Sequence, residues 1–280
     1  MSDTPLIELI DQYVKEENFR LPVFDKVAMK LQQIVQGDDY LIEDIERAIQ
    51  SDPVLASEVL KAANSPYFKG LVEIKSIKNA IVRLGSSQVV DLALMMSQRS
   101  SYKAENPFIQ KLMNRSWQGA VACAMTSRWI SDRLSFDDTS EVFMGGLLHD
   151  IGYLFLLTVL DKLVSTGRLQ ADFSHELVME LLNTLHADKG YELLADWNLP
   201  EIYCVIAREH HLEEFDTSNT SLCIVRLADR ACVKLGLCIE HDPSIMLAET
   251  REAEELGLTP IMLAEMEIMM EDSFRGVTAS

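Results

Sequence analysis

Apolar residues recur at three- and four-residue intervals along almost the whole chain, and no stretch alternates apolar and polar in the manner of a strand. The pattern predicts a nearly all-α fold. Leu41, Ile45, Ala48 and Ile49 form one stripe; Asp52 then caps a new helix with Pro53 in its first turn, where a missing N–H does no harm. That helix carries Val54, Leu55, Val59 and Leu60 and should stop at Asn64-Ser65-Pro66, because proline disfavours helical geometry in the residue before it. Ser76 caps a segment striped by Ile77, Ala80, Ile81 and Leu84, and Gly85 supplies a left-handed stop. Another apolar helix is expected over about 88–98.

The polar stretch Ser100 to Pro107 lacks an apolar stripe, ends in Asn106-Pro107, and is the best boundary candidate. Helices are predicted beyond it at about 108–133, 140–160, 174–196, 200–211 and 219–236, with Asn198-Leu199-Pro200 as a turn. This divides the chain into an N-terminal helical part (1–104), a second helical part (105–240) and a C-terminal segment (241–280). Between Glu249 and Asp272 acidic residues alternate with Leu and Met, which predicts one or two amphipathic acidic helices. A solvated face on a packed helix is the leading reading of that segment, and a partner-docking helix the second.

Charge narrows the function classes. Lys plus Arg number 25 against 44 Asp plus Glu, a formal charge of −19. Such a field opposes phosphate backbones and anionic lipid, and no basic run offers a local exception, so neither nucleic acid nor membrane is expected as a partner. Met144 to Leu160, the most apolar stretch, is interrupted by His149 and Asp150 and is shorter than the about 20 apolar residues of a spanning helix. Met1-Ser2-Asp3-Thr4-Pro5 does not open a signal peptide, so the expected location is cytoplasmic. Cys123, Cys204, Cys223, Cys232 and Cys238 are odd in number, contain no C-x-x-C, and read as small buried thiols.

The candidate chemistry lies in His149 beside Asp150, His186, His210 beside His211, and Asp229. Imidazole and carboxylate donors suit Fe, Mn or Zn, and a pair of ions if an aspartate bridges them. Taken singly each is weak: His210 and His211 point about 100° apart on a helix, so one of them should face solvent. Gly145, Gly146 and Gly152 flank the His-Asp pair and permit close backbone approach.

The string Gly145-Gly146-Leu147-Leu148-His149-Asp150-Ile151-Gly152 resembles the HD superfamily of metal-dependent phosphohydrolases, and His186, His210-His211 and Asp229 follow in the order of its binuclear members. Leu21-Pro22, Ser51-Asp52-Pro53-Val54-Leu55, Lys61 to Phe68 and the run Ile74 to Gly85 look like the HDOD family, over residues about 18 to 215. The resemblance implies an all-α fold, with an N-terminal helical subdomain packed on a degenerate HD-type helical subdomain. It also implies a bacterial signal-transduction or regulatory module that acts through a protein partner or a ligand.

Matching the superfamily's first ligand places Arg115, followed by Ser116, where a histidine would stand. A guanidinium has no acceptor and cannot bind a metal. By resemblance the missing residue would serve a first ion with His149, Asp150 and Asp229, while Asp150, His186, His210 and His211 would serve a second. Two outcomes are open for Arg115: a buried pair with Asp150 or Asp229 in place of a cation, or a turn to solvent that leaves one ion on the second set. The cofactor is accordingly one divalent transition-metal ion or none. Catalytic residues are unassigned; the favoured reading is a non-catalytic module and the alternative is a metal-dependent phosphohydrolase, supported by six retained ligands. A nucleotide or other phosphorylated ligand, held by Arg115 and Arg208, is a third reading.

Overall fold

The structure is a computed structural model that describes residues 6–17, 19, 21, 27, 30, 31, 34, 41–68, 70, 72–169 and 174–274. The first five residues, Pro22 of the Leu21-Pro22 motif, and residues 275–280 lie outside the described residues. Helices account for the regular structure, and no strand occurs among the described residues.

Local rules set most helix ends in the N-terminal half. Helix α1 spans Leu6–Glu16 and α2 spans Ile42–Gln50, burying Ile45, Ala48 and Ile49. Leu41 departs from the expected stripe: it precedes the helix in extended backbone and is exposed, while the Asp44 side chain accepts from its N–H. In α3 (Pro53–Ala63) the Asp52 carboxylate accepts from the N–H groups of Val54 at 2.8 Å and Leu55 at 3.1 Å. Asn64 ends the helix and exchanges hydrogen bonds with the backbone of Ile74, both 2.8 Å, which fixes the approach to α4 (Ile77–Leu84). Ser76 caps α4, and Gly85 follows it at φ 92°, ψ 156°. That is a glycine conformation but not the left-handed helical one expected, so α5 (Ser86–Gln98) begins at once.

The second half is organised around α6 (Pro107–Leu134), capped by Asn106, whose side chain accepts from Phe108 and Ile109. On it pack α7 (Thr139–Leu148), α8 (Ile151–Ser165) and α11 (Thr220–Leu235); α9 (His175–Asp196) packs on α8 and on α10 (Glu201–Glu209), which also meets α7 and α11. The single helix expected over 140–160 is two helices. Asp150, at φ −103° and ψ 19°, leaves helical geometry and turns the chain between α7 and α8. Apolar residues on both sides hide the break, because both helices are buried. The stretch Thr139–Ser165 is long and apolar enough to cross a membrane, but its most apolar 18 residues are 94% buried inside the protein.

Polar contacts join the halves as well as apolar ones. Buried Asp91 of α5 pairs with Arg128 of α6 and accepts from Ser140 at the start of α7. At the boundary, within the second half, the Asp161 carboxylate of α8 accepts from the backbone N–H groups of Glu105 and Asn106 and anchors the start of α6. The acidic C-terminal segment forms α12 (Arg251–Glu255) and α13 (Pro260–Phe274), which buries Leu263, Met266, Met270 and Phe274. All five cysteines are free and buried.

Candidate metal centre

Glycines bring the site-bearing helices together. A Cβ on Gly146 would lie 2.8 Å from the Ala124 Cα, and one on Gly152 would lie 1.9 Å from the carbonyl oxygen of His186. Helix α7 thus sits directly on α6, and α8 directly on α9. The break at His149-Asp150 points both side chains into the space between α8, α9, α10 and α11, where His186, the His210-His211 pair and Asp229 converge.

Two donor groups form there, each with its ligand atoms within 4.8 Å of one another: Asp150, His186, His210 and His211 in one, and His149, Asp150 and Asp229 in the other. Asp150 belongs to both. His149 Nε2 stands 3.2 Å from Asp150 Oδ2 and 3.4 Å from Asp229 Oδ1; His210 Nε2 and His186 Nε2 stand 3.3 and 3.5 Å from Asp150 Oδ1. All are buried except His211, so one of the adjacent histidines does face solvent, yet its ring still lies 4.0 Å from that of His210.

The tautomers follow from the other ring nitrogens. Nδ1 of His149 lies 2.8 Å from the Gly146 carbonyl, Nδ1 of His186 2.8 Å from that of Leu182, and Nδ1 of His210 2.9 Å from that of Ala207. A carbonyl oxygen only accepts, so each Nδ1 carries a proton; the neutral rings of His186 and His210 turn a lone pair inward through Nε2, and the Nε2 of His149 faces the same space. Nε2 of His186 and His210 face each other at 3.3 Å, and His149 Nε2 and Asp150 Oδ1 are buried without a hydrogen-bond partner. Lone pairs and carboxylate oxygens aimed at one another in a buried space are relieved by a cation. The residues fit a divalent transition-metal ion, with His186, His210, His211 and Asp150 as its N and O donors.

The electrostatics agree. Burial, then the neighbouring His211, pushes the His210 pKa down to about 4, and burial lowers that of His186. Burial opposes a charge on His149, but Asp150, Cys123 and Asp229 raise its pKa well above the ordinary value. Without metal, the His149 proton stands where a cation would compensate Asp150 and Asp229, and loading the site would displace it.

Arg115 takes neither expected course. Its Nη2 donates to the carbonyl oxygens of Gly236 at 2.6 Å and Cys238 at 2.5 Å, and Nη1 to Gln118 Oε1 at 3.4 Å. The half-buried guanidinium is held by the turn after α11 rather than by Asp150 or Asp229. Arg208, the other proposed phosphate donor, lies over the Tyr191 ring at 4.3 Å and donates to Glu209. Sequence reasoning missed Tyr153, which stacks on His186 with ring centroids 4.3 Å apart, and Glu240, whose carboxyl is pushed up by burial and by Asp150 and Asp229 against the pull of His211.

An all-helical frame with a His-Asp pair at a helix break and further candidate His and Asp donors from three more helices has the form of an HD-related helical fold. The HDOD domain family model matches residues 21–213, and the chain belongs to that family. An HDOD domain protein of unknown function from Geobacter sulfurreducens superposes with a TM-score of 0.74 at 21% identity, covering 97% of this chain and 98% of its own. A candidate metal-dependent phosphohydrolase from Shewanella amazonensis SB2B gives 0.68 at 19%, covering 98% and 96%, and these likenesses establish the fold. An uncharacterized protein of Treponema pallidum (strain Nichols) is 23% identical over 195 residues, 68% of this chain; the match spans 37% of that relative's length.

Proposed function

We propose that the chain is a regulatory module of a bacterial signalling pathway, working in the cytoplasm through a protein partner and holding one divalent transition-metal ion on Asp150, His186, His210 and His211. The observation that carries this reading is the direction of Arg115. It stands where the superfamily's first ligand belongs, and its guanidinium is bound to the carbonyls of Gly236 and Cys238. The group His149, Asp150 and Asp229 is left with three donors. Two-ion hydrolysis of a phosphate ester needs both ions to clamp the attacking and leaving oxygens. With one ion, the module braces α8, α9 and α10 against each other and exposes only His211. When bound, the ion supplies Lewis acidity and a cross-link; the chain supplies the buried carboxylate of Asp150 and three imidazoles, with the Nδ1 protons of His186 and His210 fixed by backbone carbonyls.

The second reading, a metal-dependent phosphohydrolase, draws support from the shared Asp150, which has the place of a bridging carboxylate between two ions. The test compares the native chain with His149→Ala/Asp150→Ala on a cyclic dinucleotide, a nucleoside phosphate and an aryl phosphate, with Mn, Fe or Mg added. Equal background rates, with metal retained by the native chain alone, are expected. Native turnover that disappears with chelator and in the double variant would establish the phosphohydrolase instead.

A further inference from the structure

One carboxylate of the acidic C-terminal segment is fully buried. Glu252, 1% exposed, meets the equally buried Arg226, whose Nε donates to Glu252 Oε1 at 2.7 Å; Arg230 Nε adds a contact at 3.2 Å. Arg226 Nη1 points the other way and donates at 2.6 Å to the carbonyl oxygen of Glu209, the last residue of α10 and the one before His210. The same guanidinium lies 3.7 Å from the centroid of the Phe215 ring. From α12, Arg251 reaches that ring at 5.6 Å and Glu214 at 3.4 Å. The segment carrying both adjacent histidines is therefore held at Glu209, Glu214 and Phe215 by arginines of α11 and α12.

The last carbonyls of a helix lack intrahelical partners, so the donor that satisfies them fixes how the helix ends. At α10 the Glu209 carbonyl accepts from the Leu212 backbone N–H at 3.1 Å and, more closely, from Arg226, the one side-chain donor to it among the described residues. A buried guanidinium stays inside only while a counter-charge faces it, and Glu252 is that charge. Resting on the metal-ion reading above, we infer that Glu252 is a positioning residue of the metal centre: through Arg226 and the Glu209 carbonyl it sets where His210 and His211 aim. Metal affinity then depends on α12 being docked, although α12 lies beyond the matched family region.

Cobalt(II) titration of the full chain tests this, since its visible absorption reports the ligand geometry. Glu252→Ala should weaken cobalt binding by up to about 10-fold, the low end for a direct hydrogen-bond partner of a metal ligand because Glu252 acts one step further out, and alter the spectrum. Glu252→Gln keeps an acceptor for Arg226 and should weaken it less. Arg226→Met/Glu252→Met replaces the pair by apolar side chains, which should preserve folding and thermal stability while the weakened affinity remains. Failure of the native chain to bind cobalt overturns the metal reading and this inference with it. Native binding with undiminished affinity and an unchanged spectrum in Glu252→Gln and in the double-methionine variant overturns the positioning role alone.

Discussion

The Arg115 guanidinium lies 2.5 Å from the carbonyl oxygen of Cys238, a contact that joins α6 to the turn after α11 across 123 positions of sequence. Close packing at Gly119 reinforces it: a Cβ there would sit 2.6 Å from the Cys238 Cβ. Replacing Arg115 by Met removes the donor to two carbonyls. Arg115→Met should lower stability by about 1.5–3 kcal/mol in urea unfolding, the range for hydrogen bonds to a charged group, and leave metal content unchanged. A fall in metal content at unchanged stability would place Arg115 inside the ion site.

The histidine rings make a pH signature for protein stripped of metal. Burial, then His211, holds His210 at about 4 against an ordinary 6.5, and burial lowers His186 as well. Below pH 6.5 the unfolded chain therefore binds protons that the folded chain refuses, so stability is present above that pH and is lost as the pH falls toward 4. His149 shifts upward and is protonated in both states below 6.5, which removes it from the slope. Other buried groups titrate here too, Asp91 raised by burial to about 7 among them, so the signature is a difference. Melting midpoints of chelator-treated native protein should fall more steeply, or rise less, across this window than those of His210→Gln. Identical slopes for the two would mean that His210 does not titrate as a buried ring.

Gly152 touches the backbone of a neighbouring helix, and a methyl group there would lie 1.9 Å from the His186 carbonyl oxygen. Backbone cannot swing aside as a side chain does. Gly152→Ala should force α8 and α9 apart, costing about 1–3 kcal/mol or more and weakening metal binding in the same step. Wild-type metal affinity in a folded Gly152→Ala protein would contradict the close crossing.

Asp52→Ala provides the contrasting case. The lost cap at the start of α3 should cost about 0.5–2 kcal/mol in thermal or urea unfolding. Metal content should not change, because α3 packs on α5 and not on the histidine-bearing helices. An unchanged midpoint would mean that the Asp52 carboxylate does not cap α3 in solution.

What the sequence made legible was local. Asp52 and Ser76 announce helix starts because a cap acts within three residues, and the candidate donors His149, Asp150, His186, His210, His211 and Asp229 stand out by residue type and order. The turn at Asp150 was hidden because buried helices are apolar all round, so the periodicity that marks an exposed helix end is absent. Arg115 offered two partners by charge and chose two backbone carbonyls, which no side-chain pattern reveals. Glu252 looked like its acidic neighbours because burial beside Arg226 depends on a contact across 26 positions.

Asp161 gives the junction between the two halves its mechanical character. Its carboxylate grips the N–H groups of Glu105 and Asn106 at 2.9–3.1 Å, at the end of the polar stretch that would otherwise serve as a hinge. Any shift of the N-terminal helices relative to α6 is therefore taken up ahead of Glu105, because the last two residues before Pro107 are anchored to α8.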